Sequence, residues 1–281
     1  AAISIGGGFP VQVRYSRDQV QTFMIPRILG LQDMSETGHE AVFFREGDVF
    51  VPTELGRGPW SPDALHGGAP ASLLAGYAEE QVGDPDMLLS RLTMELVRPV
   101  PMAPLALQAS KGKGRSVRRV EMTLTSGDTV VARAVALFLR AEPLGIEPRL
   151  GGHPLPGPDR CHEPFLIPGM EQVTSFHYTA MDIRVAHGQT VGPGPAAGWF
   201  RMQYPLVAGE SVSVAMRAVA ASDFGNGLSW ILPVDEYTFM NTDLTVYLHR
   251  HPRTEWVALD SRTVIEPNGI GLVRSEIYDE Q

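Results

Sequence analysis

Residues 61–80 read "SPDALHGGAPASLLAGYAEE", and the fold class follows from how that stretch is understood. A histidine and two glycines, His66, Gly67 and Gly68, stand directly before a run of small apolar residues. The run has helical composition and no strongly polar face, which marks a helix buried on all sides. A helix enclosed in that way must be narrow, and this one is made of Ala, Leu and Gly. A glycine pair at its mouth lets another group come close to the backbone.

The flanking elements are strands. Upstream, "AVFFREGDVFVP" (41–52) is a hairpin with a Glu-Gly-Asp turn. Downstream come "LLSRLTMELVRP" (88–99), "APLALQASKGKG" (103–114), "SVRRVEMTLTS" (116–126) and "TVVARAVALFLR" (129–140), the last two joined by the hairpin signal "SGD". After a connector the order repeats. "SFHYTAMDIRVAHG" (175–188) opens the second round, and a helix follows within "GESVSVAMRAVAASDFGNG" (209–227). The strand runs "YTFMNTDLTVYLHR", "EWVALDSRTVIEP" and "GLVRSEIYDEQ" complete it. Repetition of element order predicts paired structural units. The connector, 141–168, has seven prolines in 28 residues, which excludes long helices and central strands. The boundaries expected are an extension at 1–39, a first unit at 40–140, a linker at 141–173 and a second unit at 174–281. The second unit has no counterpart of "TVVARAVALFLR", so it is expected to lack its last strand. An unpaired edge of that kind invites association with another chain, and a homo-oligomer is expected.

Composition narrows the function. The chain has 281 residues, 43% of them hydrophobic and 20% charged, as in a globular protein with a sizeable core. Its net charge of −9 and the absence of a basic run exclude nucleic acid as an expected partner. No uninterrupted apolar run reaches the roughly 18 residues of a membrane span. The opening "AAISIGGGFP" lacks the pattern of a signal peptide, and Met34 reads as a natural start. Cys161 is the single cysteine, so no intrachain disulfide can form. That is compatible with a cytoplasmic location, and in a loop-like stretch Cys161 is a poor nucleophile candidate.

One narrow helix wrapped by a curved antiparallel sheet, duplicated in one chain, resembles the double hotdog fold, an α+β architecture. "ALHGGAPASLLAGYA" is similar to the His-Gly-Gly helix start of hotdog thioesterases. "AASDF" and "LTVYLHR" resemble the second half of acyl-CoA thioesterase II proteins. The resemblance covers about 40–281. It implies a lipid-metabolic hydrolase that cleaves an acyl-CoA thioester with no metal and no cofactor. The alternative is a hotdog protein that binds acyl-CoA without hydrolysing it. A hydratase would need a paired Asp and His, and Asp63 and His66 do not match that spacing.

The candidate site combines both readings. Val212, Met216, Val219 and Asp223 follow helical spacing, with Ser211 as the cap and Gly225 as the stop. Asp223 therefore falls on the apolar stripe and in the last turn, where the helix dipole disfavours its charge. A buried carboxylate must be paired or protonated; an exposed helix-end aspartate is the other reading of the residues alone. The resemblance implies that Asp223 activates water. It also implies a threonine on the next strand, where this chain has Asn241 followed by Thr242, and a glutamine on a final strand beyond Gln281. The catalytic set expected is Asp223, Asn241 and Thr242. His66, Gly67 and Gly68 are the substrate-binding set, with the glycines admitting a thioester carbonyl to the helix start. The carboxylate that single-hotdog relatives carry in this helix is replaced by Ala75, and Glu79 and Glu80 are expected to face solvent. His249-Arg250 is either a rim ion pair or a contact for CoA phosphates. Lys111 to Arg115 reads as a solvated hairpin turn.

Overall fold

A computed structural model describes residues 2–5, 40–146, 155–167, 173–189, 192–233 and 236–281. Met34 and the rest of the 1–39 extension after Ile5 lie outside the described residues, as do parts of the linker. In chain order the strands are β1 (Ala2–Ile5), β2 (Phe43–Glu46), β3 (Val49–Pro52), β4 (Met87–Leu96), β5 (Leu105–Lys111), β6 (Val117–Ser126), β7 (Thr129–Arg140), β8 (Glu163–Pro164), β9 (Met181–His187), β10 (Ala196–Met202), β11 (Asp243–Tyr247), β12 (Val257–Ile265) and β13 (Gly271–Asp279). The helices are α1 (Gly68–Val82), α2 (Val214–Ser222) and the single turn α3 (Gly225–Leu228).

The strands form one antiparallel sheet in the order β2-β3-β5-β6-β7-β4-β11-β1-β13-β12-β10-β9-β8. Its seam is the β4–β11 pairing, with Thr93 opposite Thr245. Outward from that seam, β4-β7-β6-β5-β3-β2 on one side matches β11-β1-β13-β12-β10-β9 on the other, so the duplication is visible in the hydrogen-bond ladder. Ala2–Ile5, from the segment expected to stand outside both units, occupies the place equivalent to β7. It pairs with β13 (Ile3 opposite Ser275) and with β11 (Ile3 opposite Val246). The backbone groups that an absent strand would leave open on β13 and β11 are therefore bonded there.

The turns form as their residues require. Gly47 (φ 65°) and Gly127 (φ 55°) take left-handed conformations in the β2–β3 and β6–β7 connections. Ten of the fifteen α1 residues are buried, because the sheet covers one side and α2 the other. α1 and α2 run antiparallel, and the contacts that show it step along both helices. Gly68 meets Ala220, Ser72 Oγ donates to the Met216 carbonyl at 3.0 Å, Gly76 meets the Met216 side chain, and Ser213 reaches Glu79. Gly68, Ser72 and Gly76 are spaced by four, so a stripe of small residues lets the two backbones approach.

Two local details differ from the expectation. The α2 cap is Ser213, not Ser211: Ser213 Oγ accepts from Met216 N at 3.1 Å and donates to Glu79 Oε2 at 2.6 Å, which fixes the helix start. The helix stops at Asp223, and Gly225 begins α3 instead of ending α2. The linker carries one two-residue edge strand, Glu163–Pro164 on β9, which an exclusion of central strands allows. Nearby, Cys161 packs with Trp199, Trp256 and Ala258, and burial pushes its thiol pKa up, as suits an inert core thiol.

Candidate active site

Because α1 and α2 are antiparallel, the end of α2 lies against the start of α1. Asp223 is only 8% exposed. It closes α2, whose dipole works against its charge, but its carboxylate lies on Gly67, at the mouth of α1, whose dipole favours it. Both carboxylate oxygens have partners. Asn241 Nδ2 donates to Oδ1 at 2.7 Å, and His66 Nδ1 lies 3.1 Å from Oδ2. Asn241 reaches Asp223 from a position two residues before β11, the seam strand.

His66 is 8% exposed and held on all sides. Its backbone N–H donates to the Gly56 carbonyl at 3.0 Å. Its ring stacks on Phe224 at 4.3 Å between centroids and lies 5.3 Å from Phe176. Nδ1 is also 3.0 Å from the Gly68 amide nitrogen, which is positioned to donate to it. One ring nitrogen carries either a proton or a lone pair. With the lone pair at Nδ1, Gly68 N–H is occupied and Asp223 must supply the proton for its own contact. With the proton at Nδ1, His66 donates to an ionised Asp223 and Gly68 N–H is released. The protonation of the carboxylate and the availability of that amide are thus coupled through one atom.

The glycines also meet a packing demand that the sequence does not show. A Cβ on Gly67 would lie 2.8 Å from Asp223 Oδ2, and one on Gly68 would lie 2.5 Å from the Ala220 carbonyl oxygen and 3.1 Å from Phe176 Cε1. Gly67 has φ −60°, which any residue adopts. What approaches the backbone on the side a Cβ would occupy is the end of α2.

Of the other candidates, Thr242 donates its hydroxyl to Asp243 Oδ1 at 3.3 Å, and its carbonyl accepts from Leu96 N–H; the described hydrogen bond onto Asp223 comes from Asn241. Ala75 is fully buried. Asp63 is exposed whereas His66 is buried, and the carboxylate that His66 meets is Asp223. Glu79 does not face open solvent. It is half-buried against the α2 cap, and burial, opposed by the Ser213 hydrogen bond, pushes its carboxyl pKa up. Arg250 is the rim pair: its guanidinium holds Asp279 through bonds of 2.5 and 2.6 Å and draws that carboxyl down to about 2. In the 111–115 turn, Lys111 donates to the Gln81 carbonyl. Among the described residues no group of three or more His, Cys, Asp or Glu side chains is placed to hold a metal ion, and no helix is long and apolar enough to cross a membrane.

Sequence reasoning missed His177. It lies in a π-helical turn, Phe176–Ala180, is 6% exposed, and among the described residues has no hydrogen-bond partner at either ring nitrogen. Nothing in "SFHYTAMD" signals this, since the stretch reads as the start of a strand.

Comparison with known proteins bears on the fold and the family. Residues 56–139 match the acyl-CoA thioesterase N-terminal domain, and residues 153–281 match the acyl-CoA thioesterase C-terminal domain. Similar solved structures include a hot dog fold protein of unknown function from Alicyclobacillus acidocaldarius, at 16% identity and TM-score 0.59, covering 86% of this chain and 97% of that one. Another is acyl-CoA thioesterase II TesB2 from Mycobacterium marinum, at 17% identity and TM-score 0.56, covering 84% and 87%. A third is the tesB protein of Mycobacterium avium subspecies paratuberculosis, at 16% identity and TM-score 0.53, covering 84% and 94%. At these identities the likeness is one of fold. No functionally curated protein matches the sequence. With both domains matched in order on a duplicated hotdog scaffold, the chain belongs to the acyl-CoA thioesterase family of thioester hydrolases.

Proposed function

We propose that the protein hydrolyses an acyl-CoA thioester to a free acid and CoA with water activated by Asp223. The observation that carries this reading is a buried carboxylate aimed at a helix N-terminus, with its charge supported by Asn241 and His66. A carboxylate has about four lone-pair sites, so water can still bond to Asp223 beside those partners. Asp223 takes a proton from water as the oxygen attacks the acyl carbon. While His66 keeps its proton at Nδ1 and donates to Asp223 Oδ2, Gly68 N–H is free to receive the oxyanion. The tetrahedral species collapses, the C–S bond breaks, and the proton held by Asp223 passes to the departing thiolate. Asn241 orients the carboxylate, Gly67 gives it room, and Thr242 supports the seam strand behind it.

A second reading has one observation in its favour. In the described arrangement both Asp223 oxygens and the Gly68 amide already have protein partners, which suits a protein that binds acyl-CoA and leaves it intact. Thiol release measured over straight-chain acyl-CoAs from acetyl to palmitoyl separates the two. Turnover on any of them supports hydrolysis. Tight binding with no thiol released from any of them establishes the binding role and rejects the hydrolase mechanism.

A further inference from the structure

His177 is a buried imidazole that the mechanism above does not use. The turn that carries it is pinned from both ends. Phe176 N–H donates to the Arg57 carbonyl at 2.9 Å, in the segment that leads to His66, and Ser175 caps the turn through its hydroxyl and carbonyl. Ala180 N–H bonds back to Ser175 at 3.0 Å, a five-residue closure. Such π-type turns are rare and recur at functional sites. Phe176 packs its ring beside the stacked His66–Phe224 pair, 5.3 Å and 6.0 Å from their centroids, and reaches the space beside Gly68. His177 follows it directly, close enough to His66 for a charge there to repel a proton here. Buried polar nitrogens are nearly always bonded; those of His177 have no partner among the described residues.

We propose that His177 contacts the substrate, its neutral imidazole donating an N–H to the acyl carbonyl oxygen and sharing the oxyanion with the Gly68 amide. This rests on the acyl-CoA thioesterase reading of the site. Burial, with His66 nearby, holds the His177 pKa down to about 3, so the ring stays uncharged under ordinary conditions. A neutral imidazole is a competent N–H donor to a developing oxyanion. It also supplies a donor whose availability does not depend on the proton at His66 Nδ1.

The test compares His177→Phe, which fills the space without a donor, with His177→Gln, which keeps an N–H. Two probes are titrated calorimetrically. One is the ketone analogue of hexanoyl-CoA with a methylene in place of sulfur; the other is S-hexyl-CoA, which lacks the carbonyl. His177→Phe should bind the ketone at least about tenfold more weakly, the loss of one well-placed hydrogen bond, and bind the thioether as the wild type does. Its kcat on hexanoyl-CoA should fall about 100-fold with KM little changed, the usual scale for losing an oxyanion donor, and His177→Gln should recover most of that. Should His177→Phe not fold, the ring N–H resonance of isotope-labelled wild type should move with the ketone and not with the thioether. Equal effects on both probes, or none, overturn the assignment. If the wild type binds neither probe, the acyl-CoA reading fails and takes this one with it. If the wild type binds and turns over and His177→Phe matches it, only the His177 assignment fails.

Discussion

Gly67 and Gly68 should respond to alanine in opposite ways. In an open helix, Gly→Ala stabilises by up to about 1 kcal/mol. At Gly68 the new methyl would stand 2.5 Å from the Ala220 carbonyl oxygen, nearly an ångström short of ordinary contact. That oxygen belongs to backbone and cannot rotate away, so α2 must recede from α1. Overpacking of a rigid neighbour costs up to about 3 kcal/mol, and the propensity gain offsets only part of it. A net loss of about 2 kcal/mol corresponds to a melting temperature roughly 4–8 °C lower in a domain of this size. At Gly67 the methyl would stand 2.8 Å from Asp223 Oδ2, the end of a side chain. The carboxylate can turn aside, but it then leaves Asn241 and His66. Gly67→Ala should therefore melt within about 2 °C of wild type while thiol release falls at least about tenfold, the loss of one hydrogen bond's worth of positioning. Differential scanning fluorimetry and a thiol-release assay read the two effects. A Gly68→Ala protein that melts at or above the wild-type temperature would refute the packing argument. A Gly67→Ala protein with full activity would refute the claim that this glycine makes room for the carboxylate.

Two further outcomes follow from the same contacts. Asn241→Ala removes the 2.7 Å bond to Asp223 and should lower kcat about tenfold or more, on the scale of a hydrogen bond to a charged group; Asn241→Asp, which places a like charge there, should lower it further, and steady-state kinetics on both variants check the order. Asp279 is held at about 2, mainly by the Arg250 hydrogen bond, below an unfolded value of about 3.9. Its contribution to stability is complete above the unfolded value and lost as pH falls toward 2. Melting temperatures between pH 5 and pH 2 should therefore fall less steeply in Arg250→Met, with CoA affinity unchanged; a loss of CoA affinity in that variant would show that Arg250 does meet the phosphates.

Much of the fold was legible because each unit pairs one narrow helix with long alternating strands. The β6–β7 hairpin was signalled by Ser126-Gly127-Asp128, and α1 by its small residues. β10, Ala196–Met202, gave no such signal. It is buried on both faces over its first five residues, so it shows no alternation, and Gly198 interrupts it. The true α2 cap, two residues past the expected one, was hidden because Ser211 and Ser213 are equally good caps locally; only Glu79, on the other helix, chooses between them. In the site, Asp223 stood out as a carboxylate on an apolar stripe, and His66 as a titratable group at a helix mouth. That the two touch depends on the antiparallel packing of α1 and α2, which the spacing within each helix does not encode. The same holds for the glycines, whose neighbours come from residues about 150 positions away in sequence. β1 could not be foreseen either, since four residues separated from the rest of the sheet by a long segment carry no pairing signal of their own.

Whether Asp223 activates the water that cleaves the thioester is decided by thiol release from wild type and Asp223→Asn. Hexanoyl-CoA hydrolysis and binding of S-hexyl-CoA would be measured on the same two preparations, with folding checked by thermal melting. Asp223→Asn should lose about 100-fold or more in kcat, the scale of general-base removal, while both proteins bind the thioether alike. A folded Asp223→Asn protein that turns over as fast as the wild type would contradict that role for Asp223.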